Sequence, residues 1–199
     1  MSDLIDELLA IAPGDRLDAI RRARPQTREN AQRSHDALFD PVDASAVTLP
    51  ERAAVALFTA ILHDEPRLAD YHRAELNRLG GDSARVEALA VVQRAEGPFG
   101  VYREPGLAAW STEGPRPRVG PDDAKHLGAR LTAALEHARL LVLHPREADA
   151  AAVQRLLDAA WSETGIVTLS QLVAFLAFQI RLLQGLDALG AQPSEEGAA

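Results

Sequence analysis

The chain has 199 residues, of which 47% are hydrophobic and 25% charged, and its formal net charge is −8. That length and balance fit one globular domain, or one domain with an added arm, and the acidic total speaks against nucleic-acid binding, which usually shows as a basic stripe. The sequence has no cysteine, which excludes disulfides, thiolate metal sites and thiol nucleophiles.

The opening MSDLIDELLA is acidic and lacks the charged and apolar blocks of a signal peptide. Leu4, Ile5, Leu8, Leu9 and Ile11 form one apolar helical face, started by Ser2 and ended near Pro13. Residues 15–23 and 27–39 predict two more amphipathic helices, with Thr27 as the second one's N-cap. The local basic run RRARPQTR (21–28) reads as a solvated helix end, and 40–47 as a connector. Thr48 and Glu51 then make a capping box that opens a helix to about Leu62. Asp64 is expected to cap the next helix, with Pro66 in its first turn and Gly80-Gly81 as its stop. A further helix spans 83–95.

Residues 97–120 are rich in Gly and Pro but carry Phe99, Tyr102 and Trp110, so they predict a packed loop covering apolar surface. Pro121 starts a helix with Asp122 and Asp123 in its first turn, where the helix dipole favours acids. It runs to about Leu143, and another helix covers 147–160. Thr168-Leu169-Ser170-Gln171 reads as a second capping box, opening a last helix that ends near Gly190. Ile166–Leu183 is the longest apolar stretch, but Ser170, Gln171, Gln179 and Arg181 within it favour a buried helix over a membrane span. Strand signals are nearly absent. The expectation is an all-α protein of the cytoplasm, without membrane or nucleic-acid partners, organised as a helical arm (1–45), a main domain (46–190) and a tail (191–199).

Common catalytic motifs are missing, and no two of the six histidines have the i, i+4 spacing of a helical metal site. Neither a metal nor a cofactor is expected. The turn between the two central helices is the best site candidate, with His63, Asp64, Glu65, Tyr71 and His72. Glu65, Leu68 and His72 stand at i, i+3 and i+7 and so share a helical face. A carboxyl and an imidazole on one face can act as an acid–base pair. Each also has a plain structural explanation: an acid is favoured in a first helical turn, and His72 can be a buried, hydrogen-bonded core residue. Glu51 is a weaker catalytic candidate because its capping box already explains it. Tyr102 is a candidate on the loop. Arg181, a charge inside an apolar helix, is expected to pair with a carboxylate. Trp161 reads as a core anchor, and His137 and His144 as partners of a helix C-terminus.

Three regions together resemble the carboxymuconolactone decarboxylase or alkylhydroperoxidase D-like family: the paired helices of 48–81, the loop GPFGVYREPGL (97–107), and the closing helices of 131–190 with Phe175-Leu176-Ala177-Phe178-Gln179-Ile180-Arg181. Peroxidase members of that family carry C-x-x-C-x-x-x-H at this turn. Alignment on His72 puts Glu65 and Leu68 where the thiols would be, and Ala53 where a relay glutamate would be, with Glu51 two places earlier. The resemblance is to a cysteine-free branch. It implies an alkylhydroperoxidase D-like helical domain and a homo-oligomer, but no thiol peroxidase cycle by this chain alone. Two functions stay open: a non-thiol acid–base enzyme acting on a small molecule, or a non-catalytic partner or scaffold of a cysteine-containing peroxidase-like paralogue in oxidative-stress defence.

Overall fold

The computed structural model describes residues 3–192. Among them are nine α-helices: α1 (Leu4–Leu8), α2 (Arg16–Arg22), α3 (Pro25–Phe39), α4 (Leu49–Leu62), α5 (Pro66–Arg78), α6 (Ser83–Gln93), α7 (Pro121–Leu143), α8 (Ala150–Asp158) and α9 (Glu163–Gly190). Two 3-10 turns, Pro105–Trp110 and Pro145–Glu147, complete the regular structure, and extended pairing among the described residues is limited to a bridge between Gly100 and Thr112. The protein is all-α. Ser2 and the tail beyond Gln192 lie outside the described residues.

The centre of the fold is α4. Its residues Arg52 to Leu62 are all buried, because it packs against α5, α6, α7 and α9 at once. A helix apolar on every side can be stable only in such a position. The Thr48 capping box forms as expected: Glu51 N donates to Thr48 Oγ1, and Thr48 N donates to Glu51 Oε2 at 2.8 Å. Arg52 is buried without a carboxylate partner among the described residues. Its Nε donates to Val47 O (2.8 Å) and its Nη1 to Leu38 O (2.7 Å), which ties α3 and the connector to α4.

Helix ends explain several departures from expectation. Asp64 does not cap α5. It takes a left-handed φ of 57° just past α4, and Glu65 N donates back to Ala60 O at 3.0 Å. This is a Schellman-type stop with aspartate where glycine is usual, and it makes Glu65 the residue that precedes α5. Gly80, with φ 77°, ends α5 in the same way, and Gly81 N donates to Leu76 O. Thr27 is not an N-cap, because Pro25 already occupies the first turn of α3. Thr168 does not open a helix either: α9 starts five residues earlier, capped by Ser162 Oγ, which accepts from Gly165 N at 3.1 Å. A Cβ on Gly165 would come within 2.9 Å of Ala46 O, so the start of α9 needs glycine there. The helix expected over 147–160 is split into a 3-10 turn and α8. Within α7, Gly128 at φ 79° inserts a kink that the helical pattern conceals.

The arm helices join the same core through Leu4 and Ile5, and α2 and α3 lie against α9. Part of the 21–28 run is not a solvated helix end. Arg21 is buried and Arg28 is largely covered, and both enter an ion cluster with Asp3, Asp6 and Asp18. By length and composition α9 is the one described helix able to cross a membrane, and in this fold it packs on α3, α4 and α7. The 97–120 segment is anchored at its base, where Phe99 N donates to Leu143 O and the Phe99 ring sits 5.3 Å from His144. Its tip is open: Trp110 is 74% exposed.

Candidate functional site

The expected acid–base pair does not converge. Glu65 stands just before α5 and His72 within it, about 10 Å further along the axis, and each faces different neighbours. His72 is fully enclosed at 0% exposure. The Phe39 ring from α3 lies 4.8 Å away and the Tyr71 ring 5.0 Å away, and neither ring nitrogen has a hydrogen-bond partner. Burial, with a smaller contribution from His35, lowers the imidazole pKa to about 3. His72 is therefore neutral at ordinary pH and sits in an aromatic core. Tyr71 belongs to that cluster and lines a pocket of about 250 Å³ with His35 and Arg52.

The turn itself meets α9 residue by residue. Arg181 lies close enough to His63 to act on its charge, Gln184 and Asp187 face Glu65, and Arg67 Nη2 donates to Asp187 Oδ1 at 2.9 Å. This alignment follows from the Schellman turn at Asp64, which swings residues 63–67 onto the last third of α9. Glu65 is buried, with Oε1 lacking a hydrogen bond and Arg67 Nη1 4.0 Å away. Burial pushes its carboxyl above the ordinary range, against the pull of Arg67. His63 is half-buried, and burial together with the Arg181 charge pushes its imidazole below the ordinary value.

His63 and Arg181 both line an open groove of about 1000 Å³ between the ends of α4 and α7 and the middle of α9. Its floor is apolar, with Leu141, Val142, Val173 and Ala177, and the Ser170 hydroxyl in its wall donates to Ile166 O. Arg181 departs from expectation: it is exposed, its Nη1 donates to Ala177 O at 2.8 Å, and it has no carboxylate partner among the described residues. Arg94, by contrast, is paired with Asp64 at the rim. A neutral imidazole beside a free guanidinium can hold a negative group and take a proton from it.

The remaining candidates have structural duties elsewhere. Glu51 closes its capping box and accepts from Arg130 Nε at 2.6 Å. The Tyr102 hydroxyl accepts from Arg146 Nη2 at 2.7 Å, with that guanidinium 4.1 Å from the Tyr102 ring centre. Trp161 is a core anchor as expected: it is buried, and its Nε1 donates to Arg130 O. Among the described residues no group of three or more histidine, aspartate or glutamate side chains is placed to hold a metal ion. The chain matches no protein-family model and no curated protein.

Proposed function

We propose that the protein is a thiol-free helical protein of the alkylhydroperoxidase D-like kind that takes a small anionic molecule into the groove beside the α4–α5 turn and moves a proton there. The observation that carries this reading is the pairing of His63 with Arg181 on the wall of that groove. Arg181 anchors the negative group, and His63, held neutral, is the proton acceptor. Glu65, whose carboxyl burial pushes above its ordinary range, lies in the same turn. The absence of cysteine removes the dithiol cycle and leaves proton transfer as the chemistry these side chains support. The helix–turn–helix placement of α4 and α5 supports the family reading.

Screening the purified chain against small carboxylic acids tests the reading by turnover and by thermal shift. Loss of turnover in both His63→Gln and Arg181→Gln, with His72→Leu still active, is the expected result. Turnover that depends on His72 and ignores His63 would overturn it.

A second reading rests on the outer face of α9. Val167, Ala174 and Phe178 recur on one exposed side of this helix, at 56% exposure for Val167 and 45% for Phe178. That face favours a protein partner, which we propose is a second copy of the chain or a cysteine-containing relative. Sedimentation of a stable monomer at micromolar concentration, with no relative bound, would remove this reading.

A further inference from the structure

A second cavity shares no lining residue with the groove. It has a volume of about 270 Å³, enclosed by the C-terminal half of α7, the start of α8 and the 116–118 stretch of the long loop. Four arginines line it, Arg116, Arg118, Arg139 and Arg155, together with His137 and His144.

The acids in the cavity wall are already engaged. Glu147 binds Arg116 and lies 3.3 Å from His144 Nδ1. Glu136 accepts from Arg118 Nη1 at 2.7 Å and from Val119 N. Asp149 caps α8 by accepting from Ala152 N. Arg139 and Arg155 are left with no carboxylate among the described residues. Arg139 is only 5% exposed, and among the described residues it donates only to Pro115 O and its buried Nε has no acceptor. A guanidinium offers five donors, and burying one without a counter-charge is costly. Burial, and then the neighbouring Arg116, push Arg139 down from its ordinary value, against a smaller pull from Glu136, which is itself bound to Arg118.

His137 adds a specific acceptor. Ser170 Oγ spends its hydrogen on Ile166 O at 2.8 Å, so at the 3.2 Å contact His137 Nε2 must be the donor. His137 Nδ1 then carries a lone pair, and it is buried without a partner.

We propose that this cavity binds a small anion through a carboxylate or phosphate group held by Arg139 and Arg155, with a hydroxyl of the same ligand donating to His137 Nδ1. Hydrogen phosphate and small hydroxy acids both have this chemistry. The site is separate from the His63–Arg181 groove, so it stands if that reading fails.

Titration calorimetry and thermal shift on the full chain, at fixed ionic strength, test it with inorganic phosphate, malate and sulfate. Saturable binding of phosphate or malate is expected, and the tighter of the two identifies the anionic group. Sulfate, which has no O–H at neutral pH, is expected to bind more weakly than phosphate, and equal binding would overturn the role given to His137. Arg155 is exposed, so Arg155→Gln keeps the fold while weakening binding about tenfold. Arg33→Gln removes the same charge from a distant exposed site and leaves binding unchanged. No saturable response to phosphate or malate, or equal affinity in the Arg155 and Arg33 variants, overturns the proposal.

Discussion

Replacing His72 with leucine should make the protein more resistant to mild acid. The imidazole pKa is near 6.5 in an unfolded chain and is lowered to about 3 in the fold. Below pH 6.5 the unfolded state therefore takes up a proton that the folded state refuses, so stability falls with pH until the folded value is reached. Relative to pH 8, the loss assigned to this one residue is about 2 kcal/mol at pH 5 and about 3 kcal/mol at pH 4. His35, His63 and His137 are also lowered by burial and add losses of the same sign. The His72 share is thus read as the difference between wild type and variant. Both ring nitrogens lack partners, so an apolar side chain of similar volume should change stability at pH 8 by less than about 1.5 kcal/mol. Urea unfolding followed by far-UV circular dichroism at pH 8, 6, 5 and 4 gives the two curves. If they run parallel down to pH 4, the imidazole titrates normally in the fold and the enclosed-core account of His72 is wrong.

Arg52→Met should lower stability by about 2 to 4 kcal/mol, because it strands the Val47 and Leu38 carbonyls; chemical denaturation measures this, and a change under 0.5 kcal/mol would contradict it. Ala160 holds a left-handed φ of 64° after α8, with Trp161 N donating to Leu156 O. Ala160→Gly should accordingly raise the urea midpoint, by about 0.5 to 1 kcal/mol of stability, since only glycine takes that conformation freely. The two tryptophans are separable by fluorescence. Trp110→Phe should leave a blue-shifted emission from buried Trp161, and Trp161→Phe should leave a red-shifted, readily quenched signal from exposed Trp110.

What the sequence conveys depends on how local the cause is. The Thr48 capping box and the Gly80 stop are set within a few residues, and both are legible. Thr168-Leu169-Ser170-Gln171 has the same form as a capping box, but Gly165 and Ser162 had already begun the helix, and Thr168 Oγ1 instead donates to Thr164 O. Asp64 reads as a helix start because aspartate is common there; its left-handed conformation depends on α4 having to stop. Periodicity gives Glu65 and His72 the spacing of one helical face, but Glu65 stands before α5 begins. That spacing carries no information on what packs against the face, and Phe39, from a helix 33 positions earlier than His72, fills the space beside the ring. Arg139 is overlooked because arginines on helices usually face water. Its position directly before Leu140-Leu141-Val142-Leu143 is the one signal that marks it as buried.

The clasp between the N-terminal arm and the end of α9 sets an order of events during synthesis. Arg16 Nη1 donates to Leu189 O and Gln192 O, a contact between residues up to 176 positions apart. At translation speeds this leaves roughly 10 to 35 s between the emergence of Arg16 and that of its acceptors. The seven-residue α2 is too short to hold a helix by itself in water. The arm, made before α9, is therefore among the last elements to settle, and until then the α9 surface it will cover is open to chaperones and to other nascent chains.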